Sequence, residues 1–355
     1  MMRRLSLILL VSLWALTLSA ESTTVNGRGL NSLRSSGAFG RGLFRYAPFG
    51  HSLYADMHPN FVRMDIPYAT NHTVYDWGDH TNAAYRWQTT GLFGINLPLW
   101  TGNLVDSAYA LNVTMAMSAN LWMDFYEFRT SPIVDTDYRI GIPSITFLHR
   151  LNRGFFRNYS VQWSPFKHES THLGDELQVK NVERGYALKR VNVSYNYTEF
   201  VFTLNEAENR YAENHCIRLG LMVLWHKGWY NIDPWDGDST LATPRYSPWE
   251  LYLQYQYQSP TSKHGFQGIA SAEIRNRAVY GYDLNAKDQS SAVMRADSRT
   301  FTYNIFMGAR YNTPNYDGYF SRIALGVRLY HGNCPYGQFR SIRNYSQIGV
   351  SLMFE

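Results

Sequence analysis

The sequence predicts an all-β protein, a transmembrane antiparallel up-and-down β-barrel of about 12 strands. Apolar side chains recur at every second position through most of the chain, which is the period of a strand whose two faces differ. After residue 20, no apolar run reaches the roughly 18 residues that a helix needs to cross a bilayer. Both observations favour strands over helices as the membrane-crossing elements.

Composition narrows the class of protein further. Aromatic residues are 16% of the 355 residues and charged residues 17%, and the charged share is below the roughly 25% of ordinary soluble domains. So much apolar and aromatic material can bury a core, which excludes a disordered chain. The net charge of +5 comes without a block of Lys or Arg, so no nucleic-acid partner is expected. Cys216 and Cys334 are the two cysteines, and either one disulfide or two free thiols fits their number.

The chain divides into three predicted segments. Residues 1–20 have two arginines, an apolar stretch and small residues before Glu21, which is the pattern of a cleaved signal peptide. Residues 21–58 are rich in Gly, Ser and Arg and only weakly periodic, so we expect a periplasmic lead-in or a plug. Residues 59–355 form the predicted barrel, which we expect in a bacterial outer membrane after assembly by the barrel-assembly machinery.

The clearest strand is 109–125, where every odd position is apolar and the even positions are polar or small apart from Trp122. The same alternation, clear or weaker, recurs near 60–68, 82–99, 136–148, 156–166, 191–201, 217–225, 249–258, 264–276, 301–311, 322–329 and 347–354. A closed barrel leaves no strand edge unpaired. A polar face opposite an aromatic-flanked apolar face is typical of membrane barrels, and the last strand carries Phe354 next to its end. A soluble secreted β-sandwich or lipocalin-like barrel is the alternative architecture.

A polar cluster at 166–176 follows the strand 156–166 and carries the candidate chemistry. On a strand, His168 and Ser170 share a face with adjacent side chains. An imidazole can take the proton of a neighbouring hydroxyl and make it nucleophilic, while an acid or amide orients the imidazole. The spacing therefore indicates a Ser170 nucleophile with His168 as general base.

This His-x-Ser motif resembles that of two outer-membrane esterase families, outer-membrane phospholipase A and lipid A deacylase. The resemblance implies membrane lipid as substrate, with lipopolysaccharide as one candidate, and an Asn or Glu on or near the next strand as the third residue. The families' spacing falls on Val182, so the third residue stays open among nearby polar residues: Asp175, Asn181, Glu183 and Asn192. The resemblance to the phospholipase also makes calcium a candidate cofactor and a homodimer a candidate assembly.

The period-two pattern predicts where these side chains point. His168 and Ser170 share parity with Asn158, Ser160 and the other polar residues of their strand, so we expect them to face the lumen. A bulge at Pro165 would reverse that phase, because one extra residue exchanges the two faces.

Two further motifs overlap the cluster. His168-Glu169-x-x-His172 would bind zinc if it were helical, since histidines at i and i+4 share a helix face. The string from Ser170 to Glu176 resembles the signature of an uncharacterised bacterial envelope-protein family, which adds His172, Asp175 and Glu176 to the candidate catalytic residues; the acids could also hold a cation. The non-enzymatic alternative is a narrow porin or a structural envelope protein in which the cluster is a lumen network.

Overall fold

The computed structural model describes residues 42–43, 49–70, 87–104, 108–123, 133–151, 154–175, 191–209, 211–226, 231–232, 249–278, 299–313, 321–337 and 344–355. The predicted signal peptide and most of the predicted lead-in or plug lie outside these residues. No helix in the described part of the chain is long and apolar enough to cross a membrane.

Within these ranges, twelve strands form one closed antiparallel barrel, which confirms the predicted fold class. The strands are β1 (Val62–Ala69), β2 (Thr89–Asn103), β3 (Tyr109–Met123), β4 (Ile133–Gly141 and Ser144–Arg150), β5 (Asn158–Leu173), β6 (Val191–Leu204), β7 (Asn214–His226), β8 (Trp249–Gln258), β9 (Phe266–Ala278), β10 (Arg299–Asn312), β11 (Arg322–Gly332) and β12 (Tyr345–Phe354). Both halves of β4 pair with β3 and β5. The barrel closes where β12 pairs with β1, with Phe354 opposite Val62.

The polarity of the barrel is inverted relative to a water-soluble protein. On β10, Phe301, Tyr303 and Met307 are exposed on the exterior, whereas Asn304 and Arg310 are buried in the interior. The other strands repeat this arrangement with exterior Leu, Ile, Val and aromatic side chains and interior Gln, Thr, Arg and Glu. Such an exterior matches the hydrocarbon of a bilayer and would be unfavourable in water.

The two ends of the barrel differ in the length of their connections. The end that holds the chain terminus Glu355 has short connections, at 104–108, 151–157, 205–213, 259–265 and 313–321. The opposite end has mostly longer ones, at 70–88, 124–132, 174–190, 227–248, 279–298 and 333–344. In outer-membrane barrels the short turns are periplasmic and the long loops extracellular. We refer below to the short-turn end and the long-loop end.

Residues 49–61 run through the interior of the barrel. Their backbone is bonded to interior side chains: the amide of Tyr54 donates to Gln256 Oε1 at 2.9 Å, and Asn304 Nδ2 donates to the carbonyl of Ala55 at 2.8 Å. Gly94 gives this segment room, because a Cβ there would lie 2.8 Å from the backbone nitrogen of Phe61. We call residues 49–61 the interior segment.

The charged interior is largely paired around this segment. Close ion pairs join Arg63 to Asp65 at 2.8 Å, Arg139 to Glu169 at 3.0 Å and Arg275 to Glu273 at 2.9 Å, and all six side chains are buried. Paired and hydrogen-bonded charges are the form in which buried charges are tolerated. Cys216 and Cys334 are buried free thiols.

Candidate functional site

A β-bulge divides β5 into two parts of opposite phase. Ser164 pairs with Glu199 and Lys167 pairs with Tyr197, so Pro165 and Phe166 together stand opposite Thr198 alone. Proline is tolerated at a bulge because the N–H that it lacks is not needed there for a hydrogen bond between strands. The Pro165 carbonyl accepts a hydrogen bond from Thr198 Oγ1 at 2.8 Å. One extra residue on β5 is the definition of such a bulge.

The bulge turns the candidate residues to the exterior. Before it, even-numbered residues such as Ser160 and Ser164 are buried in the interior; after it, odd-numbered Glu169 and Thr171 are buried. His168, Ser170 and His172 therefore lie on the outer face of the barrel, and His172 is exposed. The expectation that His168 and Ser170 face the lumen is wrong, because the bulge at Pro165 exchanges the two faces.

The neighbouring strand β6 supplies an asparagine to this outer face. Asn196 stands directly opposite His168, and its Oδ1 lies 2.7 Å from His168 Nδ1. An amide oxygen only accepts, so Nδ1 of His168 donates the hydrogen bond. In the neutral ring this leaves Nε2 with the lone pair, which is the form that a general base requires.

Sequence reasoning did not find Asn196 as the partner of His168. Of the four candidates for a third residue, Asn181 and Glu183 lie outside the described residues, and Asp175 is an exposed residue just beyond the end of β5. Asn192 is on β6, but it pairs with Asn231 of a separate two-residue strand, Asn231–Ile232, and not with His168. The sequence does indicate that Asn196 belongs to the outward-facing positions of β6. Only the pairing register between β6 and β5 shows that it lies beside His168.

Ser170 contacts the second histidine of the cluster. Its Oγ lies 3.1 Å from His172 Nε2, and the edge of the His172 ring meets Tyr138 with the ring centres 5.8 Å apart. Tyr138 and Ile140 of β4 stand opposite Ser170 and His168, and about half of each side chain is exposed. The cluster is thus open to the exterior and bordered by apolar side chains.

The inner side of the same strand is a separate, buried network. Glu169 pairs with Arg139, Thr171 Oγ1 donates to Asp135 at 3.1 Å, and Lys167 is paired with Glu199. This arrangement contradicts the helical zinc alternative, because a strand places Glu169 on the face opposite His168 and His172.

No group of three or more His, Cys, Asp or Glu in the described ranges is arranged to hold a metal ion. Glu176 lies outside those ranges.

No family model and no curated protein sequence matches this chain. Among solved structures, it is similar to an outer membrane phospholipase (OMPLA) dimer with bound calcium from Salmonella typhi, with a TM-score of 0.47, 12% identity, and coverage of 88% of this chain and 94% of that one. It is also similar to outer membrane phospholipase A from Escherichia coli, with a TM-score of 0.45 and 13% identity. That match covers 83% of this chain and 96% of the phospholipase chain. LpxR from Salmonella typhimurium matches with a TM-score of 0.35 and 10% identity, over 82% of this chain and 99% of the LpxR chain. These similarities concern the fold, and the ligands and activities of those proteins are stated of those proteins alone.

Proposed function

We propose that this chain is an outer-membrane serine esterase that hydrolyses acyl esters of membrane lipids. Ser170 is the nucleophile, His168 the general base and Asn196 the group that orients His168. One observation carries the proposal: the bulge at Pro165 sets Ser170 and His168 on the lipid-facing wall, where Asn196 accepts a hydrogen bond from the imidazole.

The position of Ser170 suits an ester at the membrane boundary. It lies three residues before the end of β5, about 10 Å from the long-loop end of that strand at 3.3 Å per residue. On the other side of the bulge, Trp163 of β5 pairs with Phe200 of β6, and both side chains are exposed on the outer face. This pair lies deeper in the apolar part of the outer face. A lipid with its acyl chain against this pair would bring its ester to the level of Ser170.

The arrangement supports a conventional acyl transfer. The Ser170 hydroxyl gives its proton to Nε2 of His168, and its oxygen bonds to the ester carbonyl carbon. Asn196 holds the Nδ1–H of His168, which fixes the tautomer and stabilises the imidazolium. The leaving alkoxide then takes the proton from His168, and water hydrolyses the acyl-serine in the second half of the reaction.

Phospholipid and lipid A esters share this chemistry, and assays on each distinguish them. A role for calcium stays a prediction, and the steps above use only side chains of this chain. Homodimer formation, binding of lipopolysaccharide and insertion by the barrel-assembly machinery stay predictions. The catalytic roles of Asp175 and Glu176 also stay predictions.

The non-enzymatic alternatives receive less support. A porin needs a water path through the lumen, whereas the interior segment crosses the lumen and is bonded to residues of several strands, among them Gln256, Asn304 and Arg328. A lumen network would need the cluster inside the barrel, whereas His168, Ser170 and His172 lie on its outer face.

We expect Asn196→Ala to lower kcat for a long-chain ester by about tenfold to a hundredfold, because His168 loses the acceptor that fixes its tautomer. Asn196→Asp keeps an acceptor at the same reach and should recover most of the rate. Hydrolysis is measured in mixed micelles with refolded protein, and heat-modifiable migration in gels verifies the barrel. An Asn196→Ala variant as fast as the wild type would remove Asn196 from the mechanism.

A further inference from the structure

We propose that His172 stabilises the oxyanion of this esterase by donating a hydrogen bond from Nε2. This inference rests on the proposed function and deepens it by naming the residue that receives the developing charge. Its basis is the 3.1 Å contact between His172 Nε2 and Ser170 Oγ, together with the position of Ser170 in the middle of a sheet.

The usual source of an oxyanion hole is closed to this serine. Serine hydrolases generally stabilise the oxyanion with backbone N–H groups near the nucleophile. Here Ser170 pairs with Tyr138 on one side and with Ser194 on the other, and its neighbours on β5 are likewise paired with both strands. Ladder N–H groups lie in the plane of the sheet and are already bonded, so those of β5 do not point outward to a substrate.

A side chain on the outer face is therefore needed, and His172 occupies the right place. The oxyanion is bonded to the same carbon as Oγ of Ser170, so it forms beside that atom. His172 Nε2 is already at hydrogen-bond distance from Oγ, and its ring contacts Tyr138 in a T-shaped arrangement. A donor that is in position before the reaction requires no reorganisation in the transition state.

The two histidines then have different tautomers and different tasks. His172 carries its hydrogen on Nε2 and donates to Ser170 Oγ in the resting site, which leaves the Ser170 hydroxyl hydrogen for Nε2 of His168. As the Oγ–carbon bond forms, the carbonyl π pair moves to oxygen and the hydroxyl proton moves to His168. His172 keeps its proton throughout and redirects its hydrogen bond to the oxyanion. When the ester C–O bond breaks, the carbonyl re-forms and His168 protonates the leaving alkoxide.

The test compares His172→Ala with His172→Gln. The amide nitrogen of Gln reaches about as far from Cα as Nε2 of His and donates a hydrogen bond, but it does not accept a proton at neutral pH. We expect His172→Ala to lower kcat by about a hundredfold to a thousandfold with little change in KM. His172→Gln should recover most of that loss.

A second readout separates an oxyanion donor from a merely structural residue. An alkyl boronic acid forms an anionic tetrahedral adduct on the serine, and one of its hydroxyl oxygens occupies the oxyanion position. Inhibition by this probe should weaken in His172→Ala by a factor similar to the loss in kcat and should return in His172→Gln.

Three results would contradict these expectations. A His172→Gln variant as slow as His172→Ala, with both barrels folded, would overturn the donor role and favour His172 as the base. Full activity in His172→Ala would remove the residue from the reaction. Wild-type protein without any Ser170-dependent hydrolysis would instead overturn the proposed function itself.

Discussion

Ser170→Ala should abolish ester hydrolysis, lowering kcat by at least about a thousandfold, because the substitution removes the attacking oxygen. The barrel should fold normally. Ser170 is a partly exposed residue on the outer wall, and the substitution removes a hydrogen bond to His172 that is not buried. The measurement is the initial rate with phospholipid and lipid A substrates in mixed micelles, with folding followed by heat-modifiable migration.

The chain offers a matched control on the opposite wall. Ser346 of β12 and His331 of β11 form another outward His–Ser contact at the long-loop end, with His331 Nδ1 2.7 Å from Ser346 Oγ. Ser346→Ala removes the same atom from a similar surface and should leave the rate unchanged. If Ser170→Ala kept most of the wild-type rate, the activity would belong to another group.

His168→Ala is expected to have the second-largest effect, a loss in kcat of about a hundredfold to ten-thousandfold. Without the imidazole the Ser170 proton has no side-chain acceptor, so hydroxide must remove it and the remaining rate should rise with hydroxide concentration. The measurement is kcat over a range of pH in the same micelles.

His331→Ala is the matched control for this variant, since it removes an outward imidazole beside a serine without touching the site. The opposite pattern would reassign the roles: a nearly active His168→Ala variant beside an inactive His172→Gln variant would make His172 the base.

The barrel could be predicted from the sequence because its evidence is repeated along the chain. In the strand predicted over 109–125, the even positions are buried and the odd ones face outward as far as β3 extends, to Met123. Each strand contributes the same period-two signal independently, so an error in one strand does not change the fold class.

The site could be predicted only in part, because single residues decide it. The spacing of His168 and Ser170 predicts that they share one face of a strand. Whether that face is the outer one depends on the bulge, in which Pro165 and Phe166 together stand opposite one residue. A proline marks a site where a bulge is tolerated and does not by itself establish one.

Asn196 is harder still to find from one sequence. It stands 28 residues after His168, beyond a connection whose length does not determine the strand register. Register follows from the whole sheet and from turn geometry. The position of the interior segment is also hard to predict from the sequence. The room for it depends on glycines of the barrel strands, such as Gly94, which lie outside the segment in the sequence.

The proposal that Ser170 is a nucleophile on the lipid-facing wall is tested most directly by covalent trapping with a long-chain alkyl fluorophosphonate in lipid vesicles. Intact-mass analysis and peptide mapping identify the labelled residue. We expect a single adduct on Ser170 in the folded wild-type barrel, no adduct in Ser170→Ala, and slow labelling in His168→Ala. Wild-type protein that stays unlabelled, or is labelled at a different residue, would contradict it.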